Sequence, residues 1–195
     1  MWENRLELDI IRLFNRDVAL QLSINQISKK LGKSYPHINS KVNELIDQGI
    51  LNKTQVGRSH LCSVNLLNDK AVLLLSMNES LKKDKKIKKI KNSGKFIEEI
   101  REIGKEFDVH TIILLDTNLI FVLDHIYDKE AIKNTFSAIK KFDLDFFTKE
   151  EFQQHLLQPK EIQDSKVIMY SFENYFEIVQ EIHKQLIIEN SGIIK

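Results

Sequence analysis

Gly32 and Gly49 divide residues 23–66 into short segments with different hydrophobic periods, and this division restricts the fold more than any other feature of the sequence. The segments that precede these glycines carry apolar residues at helical spacing, which predicts two short helices separated by a turn. The first apolar stripe is Ile24, Ile27 and Leu31, and the second is Ile38, Val42, Leu45 and Ile46. Ser23 and Ser34 stand at N-cap positions, and each glycine stands where a left-handed residue ends a helix.

The flanking segments extend this pattern. Residues 3–15 have an apolar face at helical spacing, which predicts an earlier helix. Residues 51–66 carry strand-like residues on both sides of Val56–Ser59, which predicts a hairpin. Three short helices followed by a hairpin form the layout of a winged helix-turn-helix, whose recognition helix presents its N-terminal residues to the major groove.

Polar and cationic side chains stand where this layout would contact DNA. We expect the recognition helix at about residues 34–48 and the wing at about 51–65, on the DNA backbone or in the minor groove. The candidate DNA-binding residues are Lys33, Ser34, Tyr35, His37, Asn39, Ser40 and Lys41 before and on the helix, and Lys53, Arg58, Ser59 and His60 on the wing. Each residue also fits a helical core with a solvated polar face. Only the occurrence of the helix, the turn, the capped helix, the final glycine and the basic hairpin in this order favours DNA binding.

The segments ISKKLGKSYPHINSKVNELIDQGILNK and VGRSHLCSVNL resemble the recognition helix and wing of archaeal and bacterial transcription regulators of the MarR and TrmB type. The resemblance covers residues 6–66 and implies a sequence-specific, double-stranded-DNA-binding transcriptional regulator. We expect a homodimer, because one recognition helix covers only a half-site. The residues expected to form its seam are Leu67, Ala71, Leu74 and Leu75.

The charge distribution predicts the domain organisation. The chain has 195 residues and a formal net charge of +1, but residues 81–95 are strongly basic and residues 96–195 are acidic. This asymmetry predicts a winged helix-turn-helix at 1–66, a helical, lysine-rich connector at 67–95 and a third part at 96–195. The lysine cluster is either a solvated helix face or linker, or a set of additional phosphate contacts.

The hydrophobic patterns of residues 96–195 predict the element order α-β-β-α-β-α-β-α, which is that of a small α/β domain. The chain as a whole is therefore expected to be α+β. The predicted strands are 110–115, 119–126, 142–147 and 166–170, and a helix is predicted at 129–140. Thr148 and Glu151 form a capping-box pattern that begins a helix running to about Leu157, and Ser171 begins the final helix.

DLDFFTKEEFQQHL and KVIMYSFENYFEIV resemble the closing part of small nucleotidyltransferase-like domains, which follow a winged helix in several archaeal regulators. Active members carry a Gly-Ser pair after the first strand and two metal-binding carboxylates on the next. IILLDTNLIFVLDH lacks the pair and has Asn118–Ile120 in place of the carboxylates. The resemblance implies an inactive minimal nucleotidyltransferase fold used for dimerisation, for sensing a small-molecule effector or for contact with a protein partner.

Two alternatives stay open. Asp143 and Asp145 share a face of a predicted strand, and with Asp124 nearby they could hold a divalent cation, as in a nucleotidyltransferase-type enzyme. The winged helix could instead be a protein-interaction module. Because no glycine-rich phosphate loop or nucleophile–base pair is evident, we predict no catalytic site, no metal site, no cofactor and no enzyme activity. Cys62 is expected to be a small core side chain.

No apolar run is long enough to span a bilayer, and the N-terminus lacks the pattern of a signal peptide. A single cysteine excludes an internal disulfide. We therefore expect a cytoplasmic protein with no membrane partner.

Overall fold

The computed structural model describes residues 6–15, 17–136, 138–157 and 166–192. Over these residues the chain is mixed α+β, with eight α-helices and two sheets. It divides into two compact units, Met1–Asn78 and Glu79–Lys195, called here the N-terminal unit and the C-terminal unit. The division falls inside the segment predicted as the connector.

The N-terminal unit contains three helices, a hairpin and the beginning of a fourth helix. The elements are α1 (Leu6–Asn15), α2 (Ile24–Leu31), α3 (Tyr35–Asp47), β1 (Leu51–Val56), β2 (Ser59–Val64) and α4 (Asp69–Ile87). These bounds confirm the predicted helices and hairpin, except that residues 3–5 of the first prediction lie outside the described residues. Leu22 pairs with Cys62 through two backbone hydrogen bonds of 2.9 and 2.8 Å, which attach the segment before α2 to β2.

Local hydrogen bonds fix the start of α2 and its turn into α3. The Ser23 hydroxyl accepts from the Gln26 N–H at 3.2 Å, and the Gln26 side chain accepts from the Ser23 N–H at 2.8 Å, which forms a capping box. Gly32 ends α2 with φ 62°, a left-handed conformation that glycine adopts without strain. The buried Ser28 hydroxyl donates to the carbonyl of Lys33 at 2.6 Å and fastens the turn to α2.

The C-terminal unit has the predicted order of helices and strands. Its elements after α4 are α5 (Ser93–Glu106), β3 (Val109–Leu115), β4 (Asn118–Leu123), α6 (Lys129–Thr135), β5 (Asp143–Thr148), α7 (Lys149–Leu157), β6 (Lys166–Tyr170) and α8 (Phe172–Gly192). The sheet order is β5-β4-β3-β6, in which β3 is antiparallel to both neighbours and β4 is parallel to β5. The capping box is confirmed, since Thr148 and Glu151 exchange hydrogen bonds of 2.8 and 3.2 Å.

Three sequence predictions were wrong in detail. The strand predicted at 119–126 ends at Leu123, and a short 3-10 helix begins at Ile126. The helix predicted at 129–140 ends at Thr135, because Phe136 takes an extended backbone and buries its ring in the core of the C-terminal unit. The expected dimer seam includes Ala71 and Leu75, yet both are fully buried within the chain, so neither can contribute to an intermolecular surface. Leu67, by contrast, is 52% exposed.

None of the helices in the described part of the chain combines the length and the apolar character needed to cross a bilayer.

Candidate nucleic-acid interface

The α2–α3 turn and the first turns of α3 present a polar surface to solvent. Lys33, Ser34, Tyr35, His37 and Ser40 are exposed, and Asn39 is partly exposed. The first turn of α3 contains no acidic residue. Because unpaired backbone N–H groups give a helix N-terminus a partial positive charge, this end of α3 is suited to an anionic partner.

The structure places two of these residues differently from the prediction. Ser34 occupies the N-cap position of α3, but its side chain makes no capping hydrogen bond. Lys41 was predicted to point outward, and its side chain is partly exposed but paired with two carboxylates. Its ammonium lies 2.7 Å from the Glu44 carboxylate and 3.3 Å from that of Glu7 on α1. Chiefly through the hydrogen bond with Glu44, these contacts raise the pKa of Lys41.

The outer part of the hairpin stands away from the core. In β1 only Leu51 is buried, and every residue from Asn52 to His60 is exposed. Gly57, with φ 58°, takes the first of the two turn positions, where a hairpin of this length favours glycine. Arg58 takes the second and is therefore at the tip.

Strand pairing separates the wing residues into two faces. Leu51 and Val64 form a pair whose side chains are both buried, and this inner face continues outward along the hairpin through Lys53, Gln55 and His60. Ser59 pairs with Val56 on the other face. The inner face thus brings Lys53 and His60 together and excludes Ser59. Gln55, which is not among the predicted residues, also lies on this face, as the two-residue period from Lys53 indicates.

Three cations of this region, unlike Lys41, are unpaired among the described residues. The side chains of Lys33, Lys53 and Arg58 form no ion pair or hydrogen bond with any described residue. Cys62, which pairs with Lys53 across the hairpin, is fully buried, so the prediction of a core side chain is confirmed. Burial raises the pKa of its thiol, and the nearby Lys53 charge only partly opposes this effect.

One of the three carboxylates considered for a metal site, Asp124, lies apart from the other two. Asp143 and Asp145 are exposed at the start of β5, where they pair with Asn118 and Ile120. Asp124 follows the far end of β4, about 13 Å along the strand from Ile120 at the usual rise per residue. It accepts instead from His110 at 2.7 Å, if that ring nitrogen carries a proton. No group of three potential metal ligands occurs among the described residues.

Comparisons of this chain with protein family models, with curated protein sequences and with solved structures found no match.

Proposed function

We propose that the N-terminal unit is a winged helix-turn-helix and that the chain is a sequence-specific transcriptional regulator that binds double-stranded DNA. In this proposal α3 enters the major groove with its N-terminal end, and the hairpin β1–β2 contacts the backbone or the minor groove. The C-terminal unit, with a degenerate nucleotidyltransferase-like fold, serves dimerisation, effector sensing or partner contact.

The exposed hairpin is the observation that carries this proposal. Leu51, Cys62 and Val64 anchor the hairpin in the core, whereas its outer part from Asn52 to His60 is exposed and contributes nothing to that core. Its inner face bears Lys53 and its tip bears Arg58, and neither cation has a partner among the described residues. Phosphate groups are the ligands that such free cations favour, and they dominate protein–DNA affinity.

The polar start of α3 supports the same proposal. Its acidic residues, Glu44 and Asp47, lie in the second half of the helix, away from the end that would meet DNA. His37, Asn39 and Ser40 can hydrogen-bond to base edges or phosphates. The α2–α3 turn that positions these residues is fixed by internal hydrogen bonds, so the surface is organised before binding.

A protein partner is the second candidate function for this surface. The side chains of Tyr35 and Val56 are 49% and 51% exposed, one at the start of α3 and one on the hairpin. Exposed aromatic and aliphatic side chains of this kind favour protein contacts.

The matched substitutions Arg58→Gln and Lys41→Gln test the proposal, because each removes one positive charge. Fluorescence anisotropy with a labelled duplex should show weaker binding for R58Q and a salt dependence shallower by about one in log–log slope. K41Q should bind nearly as well as wild type, since its ammonium is already paired with carboxylates. Equal binding by wild type and both variants would refute this placement of the DNA-binding surface, and no binding at low salt would favour a protein partner.

A further inference from the structure

The lysines around the end of α4 form part of the folded surface of the C-terminal unit. Ile87 and Ile90 pack against the core of this unit, and backbone hydrogen bonds continue the turn from Ile87 to Ile90. Lys85, Lys88, Lys89 and Lys91 are exposed around these two anchors. The cluster is therefore held in place, which excludes the interpretation that it is a linker.

A second segment of the chain extends this surface. The ammonium of Lys141 donates to the carbonyl of Lys91 at 3.1 Å and lies 5.3 Å from the centre of the Phe142 ring. Lys140 is exposed beside it. We call this surface the lysine patch. Its members are Lys85, Lys86, Lys88, Lys89, Lys91, Lys140 and Lys141.

The patch concentrates positive charge that no carboxylate of the described residues neutralises. None of its lysines forms an ion pair with a carboxylate of any described residue, and this includes Asp84 and Asp143, which adjoin the patch along the chain. Lys83 lies within the same cluster in sequence but turns inward, where its ammonium donates to the carbonyl of Met169 at 2.5 Å. Since like charges repel one another, a bound polyanion would relieve the repulsion among these clustered lysines.

The chemistry of the patch favours one type of polyanion. It contains lysines without arginines, and a lysine binds phosphate as a point charge without the bidentate geometry of an arginine. Ile87 and Ile90 beside the patch point into the core, so the patch has no apolar side chain to insert into a membrane. Phe142 is partly buried beneath Lys141, so the patch has no exposed ring on which unpaired bases could stack. We propose that the lysine patch binds the phosphate backbone of duplex DNA without sequence preference. This function goes beyond that proposed for the N-terminal unit and does not depend on it.

The test compares two triple variants of the full chain that lose the same charge. K85Q/K88Q/K89Q removes patch lysines, and K105Q/K129Q/K184Q removes exposed lysines elsewhere in the C-terminal unit. With a labelled duplex of unrelated sequence, the log–log salt slope of the patch variant should be shallower than wild type by about three, at about 0.9 for each phosphate contact. The control variant should retain the wild-type slope. Equal slopes for the two variants would overturn the proposal.

Two further measurements separate this proposal from the function of the N-terminal unit. In the K33Q/K53Q/R58Q background, residual duplex binding should persist and should be lost when the patch substitutions are added. Residual binding that is unchanged by the patch substitutions would overturn the proposal for the lysine patch but not the proposal for the N-terminal unit. A loss of binding to phosphatidylserine vesicles without any change in the duplex slope would assign the patch to membranes and also overturn the proposal. K89Q/K91Q/K140Q, a second patch variant, should repeat the result if K85Q/K88Q/K89Q folds poorly.

Discussion

Gly104 is the position where two physical effects predict opposite results for one substitution. It lies inside α5, where replacing glycine with alanine normally stabilises a helix by about 1 kcal/mol. A Cβ atom at Gly104, however, would overlap the ring of Tyr170 on β6, well inside van der Waals contact. The Tyr170 hydroxyl also donates to the Gly104 carbonyl at 3.0 Å, so the ring cannot move away without losing that bond.

These contributions determine the expected sign of Gly104→Ala. Overpacking costs about 1–3 kcal/mol, and losing the hydroxyl hydrogen bond costs about 1 kcal/mol. After the gain in helix propensity, we expect a net destabilisation of about 2 kcal/mol. For a unit of this size, this loss lowers the midpoint of thermal unfolding by roughly 5–10 °C, which circular dichroism can measure.

Gly94→Ala is the matched control on the same helix. Nothing lies within 4 Å of a Cβ atom at Gly94, so this variant should be as stable as wild type or slightly more stable. In a double-mutant cycle, G104A should cost less when Tyr170 is replaced by Leu, because the clash is then removed. If G104A stabilises the protein as G94A does, the close approach of β6 to α5 described above is incorrect.

Three smaller predictions concern other local contacts. Thr148→Ala removes one half of the capping box with Glu151 and should lower the free energy of unfolding by about 1 kcal/mol, as measured by urea denaturation. Ser28→Ala removes the hydrogen bond to the Lys33 carbonyl and should cost about 1 kcal/mol in the same assay. Because its side chain is fully buried, Cys62 should resist a thiol reagent until the protein unfolds, a result that fast labelling of the native protein would contradict. Because burial raises the pKa of the Cys62 thiol, the folded state keeps this proton to a higher pH than the unfolded state does. The free energy of unfolding should therefore be constant below the usual pKa of cysteine and fall as the pH rises above it.

The elements that could be predicted from sequence are those fixed by short-range signals. The Thr148–Glu151 capping box is one such signal, because both partners lie within four residues of each other. Gly32 and Gly49 are others, since each marks a backbone conformation that few residues besides glycine adopt. Such signals specified the order of helices and strands in both units.

The misplaced features depend on contacts between residues far apart in the chain. Lys41 follows the outward pattern of α3 in sequence, but Glu7 on α1 draws its side chain aside. Ile87 and Ile90 are too few to predict a buried face, yet the core of the C-terminal unit accepts both. No periodicity within one segment can reveal which distant residue will pack against it.

Binding of the full-length protein to DNA tests the central claim most directly. We would measure fluorescence anisotropy with one labelled duplex from upstream of the protein's own gene and one unrelated duplex, over a series of salt concentrations. The account predicts tight binding to the first duplex and weaker, more steeply salt-dependent binding to the second. Equal binding to both would contradict sequence-specific recognition by α3, and the absence of binding to either at low salt would contradict DNA binding altogether.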